Sequence, residues 1–152
     1  MKIIATNRKA RRNYQVVETF EAGVELKGNE VKSLRSRSCS ITDSFVRIER
    51  SQAFVYSMHI PEFEKSSYLK TEPKRVRRLL LHKRELKKLL GLTAQKGFTL
   101  VPMKVYFNDN GLVKIEVGLA KGMHTYDKRK KIKEDITNRE VQRQLKNHRR
   151  RG

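Results

Sequence analysis

The stretch FTLVPMKVYFNDNGLVKIEVGL, residues 98–119, predicts the fold class. Its first half has the β-branched and aromatic content of a strand, and Pro102 indicates an edge position or a bulge because proline cannot donate to a ladder. The turn NDNG at residues 108–111 contains Asn-Gly, which favours a hairpin. The second half alternates, so Val113, Ile115 and Val117 share one face. The stretch therefore predicts an antiparallel hairpin with one buried side.

Two more strand pairs are predicted upstream. Residues 44–50 (SFVRIER) and 53–60 (AFVYSMHI) form a hairpin with a tight connection at Ser51-Gln52, although Ser-Gln is not a preferred turn pair. Residues 14–20 (YQVVETF) and 24–27 (VELK) form a bent hairpin that is interrupted at Glu21-Ala22-Gly23. Six strands in antiparallel hairpins, at this chain length, indicate a mainly β fold: a small closed or partly closed barrel.

Two short helices are predicted between the strands. Residues 29–35 place Val31 and Leu34 on one face behind an Asn29 cap. The run LLLHKRELKKLLG, residues 79–91, predicts an amphipathic helix that Gly91 ends, with an apolar stripe typical of core packing. Residues 61–78 lack periodicity and form a long basic loop, a kind that is usually functional or mobile.

Charge is the strongest compositional signal. The 152 residues hold 36 Lys and Arg against 16 Asp and Glu, a net charge of +20. Residues 121–152 alone carry 12 basic and 4 acidic side chains, a net +8, with few aliphatic residues to form a core. We expect this tail to be disordered alone and helical on a partner, which its charge indicates is a polyanion. Residues 1–12 form a second basic segment, a terminal arm suited to phosphate contact.

Several function classes lack their signatures. The sequence has no P-loop, dinucleotide fingerprint, HExxH motif or nucleophile elbow, and its four histidines show no metal-ligand spacing. Its one cysteine, Cys39, allows no internal disulfide and fits a small packing residue in a reducing cytoplasm. No apolar run reaches the length of a membrane span. The sequence therefore predicts no enzyme, no metal and no cofactor.

Nucleic-acid binding remains, and the residues leave its type open. A barrel with basic arms favours structured or single-stranded RNA, because no zinc-finger, basic-zipper or helix-turn-helix pattern for DNA is present. A general structured-RNA-binding or ribosome-associated protein would explain the charge equally well. An RNA-processing nuclease is the alternative from another class, but it needs convergent carboxylates for its metals, and the sequence does not assemble them.

The motifs resemble one known family, the SmpB or SsrA-binding proteins, which are partners of transfer-messenger RNA (tmRNA). The matching stretches run from residue 7 to residue 129: NRKARRNY (7–14), ETFEAGVELKGNEVKSLRSR (18–37), DSF (43–45), LLLHKREL (79–86), KGFTLVPMKVYF (96–107), GLAKG (118–122) and YDKR (126–129). Their order is highly specific. One departure is Met123-His124, which stands where the family usually has two further lysines and puts the register of the tail on the ribosome in doubt.

The resemblance implies a fold and a function. The fold would be an OB-like barrel of six antiparallel strands with about three short helices, in which residues 1–122 form the RNA-binding body. Residues 123–152 would be a basic tail that is disordered when free. The function would be binding the tRNA-like domain of tmRNA and delivering it to stalled ribosomes for trans-translation. The tail would enter the decoding centre and message channel of the ribosome. We expect a cytoplasmic monomer without membrane contact.

Site residues divide between body and tail. The resemblance implies tmRNA binding by Asn7, through base edges or 2′-hydroxyls, by Glu21, through base amino groups, and by Leu80, through apolar contact. A salt bridge from Glu21 to an arginine and a core position for Leu80 are equally compatible with the sequence. We add, as phosphate or base contacts, Arg8, Lys9, Arg11, Lys32, Arg35, His82, Lys83 and Arg84.

For the tail and ribosome, the resemblance implies roles for Lys121, Gly122, Tyr126, Asp127, Lys128 and Arg129. Gly122 would permit a sharp turn of the backbone, and Tyr126 would stack on a ribosomal base. Asp127 fits the ordering of neighbouring basic side chains better than a magnesium site. Lys130 and Lys131 could replace the charges absent at Met123-His124.

Overall fold

The structure is a computed structural model that describes residues 1–36, 38–63, 71–95 and 97–122 and the single positions Ile136, Arg139 and Arg143. The chain divides into two compact units, Met1–Gly122 and Met123–Gly152. In the second unit the three described positions have helical backbone and are exposed. The elements of the first unit are β1 (Lys2–Thr6), α1 (Arg8–Asn13), β2 (Tyr14–Val24), α2 (Gly28–Ser36), β3 (Phe45–Glu49), β4 (Gln52–Tyr56), β5 (Arg77–Leu80), α3 (Lys83–Thr93), β6 (Phe98–Phe107) and β7 (Val113–Gly122).

The β6–β7 hairpin forms as its sequence predicts. The strands pair from Phe107 opposite Val113 to Phe98 opposite Lys121, and Gly111 sits in the connecting loop with a φ of 76°. That positive φ is strained for residues with a Cβ atom, which explains the glycine there. The register shifts between Pro102 and Lys104, so the predicted bulge is confirmed.

Strand pairing closes six of the seven strands into an antiparallel ring. The order is β6-β3-β4-β5-β2-β7, and β7 returns to pair with β6. β1 is an additional strand on β6, beside the single contact that β6 makes with β3. The mainly β, OB-like prediction is confirmed, with three helices and one more strand than expected.

The hydrophobic core fills the inside of this ring. Inward-facing residues alternate along the strands, and α2 and α3 contribute one fully buried leucine each, Leu34 and Leu89. The members of the core that are less than 2% exposed include Ala22, Ile41, Ala53, Val55, Met58, Leu100, Val105, Ile115, Val117 and Leu119. A smaller cluster lies under α1, where Ala10 packs on Val101, Met103 and Ala120.

Three predicted boundaries are wrong. β2 is one strand of 11 residues rather than a hairpin broken at Gly23, because it pairs with β7 along its length and with β5 at its end. Residues 77–80 form a strand between β2 and β4, where the sequence indicated a loop and the start of a helix. The helix α3 continues through Gly91 to Thr93. The N-terminal arm is also more ordered than expected, because residues 2–13 form β1 and α1.

The β3–β4 turn is tight without the usual turn residues. Glu49 pairs with Gln52, so the two-residue loop is Arg50-Ser51, one position earlier than predicted. Both loop residues have positive φ, 51° and 62°. This conformation matches a type I′ turn, whose twist fits the flanking strands, and the pairing of the strands stabilises it despite the Cβ atoms.

A buried ion cluster joins α2 to β5. Glu30 is 2% exposed and Arg77 is fully buried. The Arg77 guanidinium donates to the Glu30 carboxylate and, at 2.7 Å and 3.0 Å, to the carbonyl oxygens of Met58 and Pro73. Arg75 donates to the other carboxylate oxygen of Glu30 at 2.6 Å. Buried charges that are paired and hydrogen-bonded in this way are costly to disrupt singly.

This cluster makes stability depend on pH. Burial alone would raise the pKa of Glu30, but hydrogen bonds from Arg75, the Lys27 backbone and Arg77 hold the pKa below its ordinary value of 4.5. A lowered folded-state pKa adds stability above the unfolded value, and that stability is lost as pH falls through the folded-state pKa. We expect the difference in unfolding free energy between the wild type and Glu30→Gln to be constant near neutral pH and to shrink below about 4.5. Urea unfolding across this range measures it, and a difference independent of pH would contradict the assignment.

Candidate RNA-binding surface

Strand register places two of the predicted RNA-binding residues on one outer face. Tyr106 on β6 lies opposite Lys114 on β7, Lys114 lies opposite Gly23 on β2, and Gly23 lies opposite Leu80 on β5. Glu21 is two residues before Gly23 and therefore points to the same side of the sheet. Residues that are far apart in sequence thus meet on one surface. We call it the Glu21–Leu80 face, and it comprises Glu21, Gly23, Leu80, Tyr106 and Lys114.

Glu21 is exposed, and within the described part of the chain its partner is Tyr106. Its carboxylate accepts a hydrogen bond from the Tyr106 hydroxyl. Burial and this bond raise the pKa of Tyr106 to about 12, so the hydroxyl remains a donor at neutral pH. Among the described residues, no arginine pairs with Glu21, so the alternative of an arginine salt bridge is not observed. A carboxylate has several lone pairs, so Glu21 keeps acceptor capacity for another donor.

Leu80 lies at the edge of a groove rather than in the core. Its side chain is 47% exposed, so the core alternative is wrong. The groove has a volume of about 330 Å³, and apolar residues of β2, α2, β5 and the β6–β7 loop line it together with Arg35 and Lys114. An apolar floor with basic side chains suits an unstacked base and its phosphate.

Asn7 is buried, at 1% exposure. Its side-chain oxygen accepts from the Ala10 N–H and caps α1, while its amide nitrogen donates to the carbonyl oxygens of Ile41 and Pro102, both at 2.9 Å. A side chain engaged in this way has no free face for a base edge. In this conformation Asn7 fixes the position of α1, and its contact with tmRNA stays a prediction.

The basic residues of α1 and α3 are exposed but lie outside the Leu80 groove. Arg8, Lys9 and Arg11 project from α1, where Lys9 pairs with Asp43 at 3.0 Å. Lys83 lines a separate groove, of about 350 Å³, between α3 and the β3–β4 hairpin. The other predicted contacts in this group, His82 and Arg84 on the α3 side and Lys32 on α2, are also exposed.

The junction with the tail is only partly described. Lys121 is exposed, and its ammonium lies 4.6 Å from the centre of the Phe98 ring. Gly122 is the last residue of β7 and pairs with Tyr14, and the sharp turn expected there stays a prediction because the residues that follow lie outside the described ranges. The remaining predicted tail sites lie outside the described residues: Tyr126, Asp127, Lys128, Arg129, Lys130 and Lys131.

Sequence reasoning missed Tyr106 and Lys114. Both belong to the β6–β7 hairpin, whose turn was predicted, so counting the register from that turn could have paired them. The register of this hairpin does not show that the two residues lie near Glu21. That proximity depends on the pairing of β2 with β7, which joins residues more than 90 positions apart.

Within the described ranges, no cluster of three or more His, Cys, Asp and Glu could hold a metal ion. Among the helices formed by those residues, none has the length and apolar character of a membrane span.

Comparison with known proteins identifies the family. The model of the family described as SmpB protein matches residues 4–147. The SsrA-binding protein of Thermosipho melanesiensis is 49% identical over 96% of this chain and 99% of its own length, and that of Persephonella marina is 50% identical over 96% and 95%. A chain in a solved structure described as "tmRNA-SmpB: a journey to the center of the bacterial ribosome" is 49% identical with a TM-score of 0.67, over 80% of this chain and 85% of that one. The chain belongs to the SmpB family.

Proposed function

We infer that this protein binds tmRNA and takes part in ribosome rescue by trans-translation. The observation that carries the inference is its identity of about one half to SsrA-binding proteins over nearly the full length of both chains. The charge of +20 supports binding to a polyanion. The partners are tmRNA, through its tRNA-like domain, and the ribosome with its decoding centre and message channel.

The Glu21–Leu80 face is our candidate for the tmRNA contact. The Glu21 carboxylate, which the Tyr106 hydroxyl orients, can accept hydrogen bonds from base amino groups. Leu80 offers apolar contact, and Arg35 and Lys114 offer positive charge to the phosphates. An acidic acceptor within a basic surface suits recognition of particular bases, since charge alone would favour any RNA. The exposed cations of α1 and α3 would add contacts that do not depend on sequence.

The remaining assignments are proposals as well. Residues 1–122 would hold the RNA, and residues 123–152 would probe the ribosome through the tail sites from Lys121 to Lys131. A cytoplasmic monomer that binds RNA without cutting it fits these roles. Incubation with labelled RNA and magnesium checks the last point, because a nuclease would shorten the RNA.

A competition assay tests the function. Labelled tRNA-like domain is bound at near-physiological salt, and unlabelled bulk tRNA is added in excess. We expect the complex to survive, because specific contacts add to the electrostatic term that all RNAs share. Displacement at equal mass would show that charge dominates and that the protein is a general RNA binder.

Replacing Glu21 tests the proposed contact. Glu21→Ala is expected to weaken binding of the tRNA-like domain by about 10- to 100-fold, since hydrogen bonds to a charged group contribute about 1.5–3 kcal/mol. Filter binding or fluorescence anisotropy at fixed salt measures the loss.

The matched control is Glu116→Ala, on the neighbouring strand directly opposite Glu21. It removes the same charge from the same face, and among the described residues its ion pair is the long one with Lys104, at 3.9 Å. We expect unchanged or slightly tighter binding, because a negative charge near phosphates is lost. Equal effects of the two substitutions would contradict a specific role for Glu21.

A further inference from the structure

The outer face of the β3–β4 hairpin carries aromatic side chains to which the proposed function assigns no role. Phe45, Phe54 and Tyr56 are half-buried on this face, while the alternate residue Val55 points into the core. The rings of Phe45 and Tyr56 stack with centroids 5.2 Å apart and planes 6° from parallel. The Arg47 guanidinium lies 5.1 Å from the Phe45 ring and 5.9 Å from the Tyr56 ring. We call Phe45, Arg47, Phe54 and Tyr56 the aromatic platform.

Positive charge alternates with the rings across three strands. Arg47 on β3 lies opposite Phe54 on β4, and Phe54 lies opposite Arg78 on β5. Among the described residues, Arg47 forms no ion pair, whereas Arg78 pairs at 3.3 Å with Glu25. Cross-strand aromatic pairs alone would stabilise the hairpin. They do not account for an exposed guanidinium placed beside two rings, which is an arrangement on which unpaired bases stack.

A pocket adjoins one end of the platform. Phe45 lines it together with Thr42, Ser44 and Lys9, and its volume is about 220 Å³. A base leaving the platform would find polar groups there, beside the Lys9 ammonium, which pairs at 3.0 Å with Asp43 of the same pocket. The site therefore combines stacking, hydrogen bonding and charge, which are the three elements of single-strand recognition.

The aromatic platform lies across the ring from Glu21 and Lys114, and the two surfaces adjoin on β5, where Arg78 and Leu80 are alternate exposed residues. In the ring β6-β3-β4-β5-β2-β7, strands β3 and β4 stand across the barrel from β2 and β7. The outer sides of opposite strands in a closed barrel point in opposite directions. One RNA helix docked over Glu21 and Lys114 therefore leaves Phe45 and Tyr56, on the far strands, open to a different segment.

We propose that the aromatic platform is a second RNA site, which stacks the unpaired bases of a single-stranded segment while the Glu21–Leu80 face holds structured RNA. The ligand class is single-stranded RNA of any sequence, because every base has a π-face and the platform presents few groups that read base edges. The proposal goes beyond the tmRNA contact and does not depend on it, since Glu21 takes no part.

The test uses the full chain and a fluorescein-labelled oligoadenylate of about ten nucleotides, a length within the range bound by single-strand sites. The double variant Phe45→Leu/Tyr56→Leu keeps apolar bulk and removes both rings. We expect its affinity for the oligonucleotide to fall by about tenfold, the loss of one base–aromatic stack, with binding of the tRNA-like domain unchanged. Unchanged oligonucleotide affinity in the folded variant would overturn the proposal.

Further measurements distinguish a loss of stacking from unfolding, and a separate site from a shared one. Arg47→Gln leaves the rings in place and is expected to weaken the oligonucleotide complex several-fold, while Val17→Ala, an exposed change on β2, should have no effect. Circular dichroism confirms folding of each variant. Saturating tRNA-like domain should leave the oligonucleotide bound, and its displacement would place both RNAs on one face and overturn the proposal. Glu21→Ala should bind the oligonucleotide like the wild type. This result is expected whether or not Glu21 contacts tmRNA, so it tests the aromatic platform separately from the proposed function.

Discussion

Replacing Arg77 with methionine is expected to lower the free energy of unfolding by about 3–5 kcal/mol, the cost of removing one partner from a buried ion pair. The substitution keeps an unbranched apolar side chain in the same space. It leaves the Glu30 carboxylate, which is 2% exposed, with fewer donors and the carbonyl oxygens of Met58 and Pro73 without the guanidinium. Urea unfolding followed by circular dichroism measures the loss.

The control is the next residue along β5. Arg78→Met removes the same charge from an exposed arginine whose pair with Glu25 spans 3.3 Å. Surface pairs of this kind contribute about 0–1 kcal/mol, so the control should be nearly neutral. Equal losses of unfolding free energy for Arg77→Met and Arg78→Met would contradict the role of the buried cluster. They would show that the lost charge or the strand propensity of methionine causes the destabilisation.

The cluster connects stability with the candidate RNA surface. Arg77 begins β5 and Leu80 ends it, and the strand is only four residues long. Within those four residues, Arg77 and Leu79 are buried and hold β5 between β2 and β4, which presents Leu80 to the groove. Loss of the Arg77 contacts should therefore loosen the groove as well as the core.

Local chemistry explains which elements the sequence could predict. The β6–β7 and β3–β4 hairpins were predictable, because alternation and a turn lie within one continuous stretch. The strand β5 was not, because four residues with a basic flank carry little strand signal and its two pairings come from distant parts of the chain. Tertiary pairing likewise outweighs the local preference of Gly23. A glycine at this position predicts the end of a strand, but here it lies in a strand that is paired on both sides.

The candidate site follows the same division. The residue types at Glu21 and Leu80 were identified from motifs, but their juxtaposition depends on pairing across four strands. The burial of Asn7 was not predictable, because its partners Ile41 and Pro102 are 34 and 95 residues away. An asparagine is a typical N-cap, but the sequence indicated a basic arm rather than a helix after Asn7, so the capping role was missed.

Deleting residues 130–152 is expected to abolish trans-translation on stalled ribosomes while leaving binding of the tRNA-like domain within about a factor of three, since the Glu21–Leu80 face is intact in the shortened chain. The deleted segment holds nine Lys and Arg and three Asp and Glu, a net +6, so the shortened chain keeps +14 of the original +20. The shortened chain therefore keeps the positive charge and the complete Glu21–Leu80 face that we propose for tmRNA binding. Anisotropy with the tRNA-like domain and a reconstituted translation assay on a message without a stop codon measure the two activities.

A chain with the same 23 residues in scrambled order is the control, because it restores charge and length without the spacing of Ile132, Ile136, Val141 and Leu145. Those residues stand at i,i+4 pairs and would share helix faces on a partner surface. We expect the scrambled chain to bind RNA like the wild type and to remain inactive in trans-translation. Trans-translation by the scrambled chain would mean that the tail acts through charge alone. Loss of RNA binding on deletion would mean that the tail, rather than the barrel, holds the tmRNA.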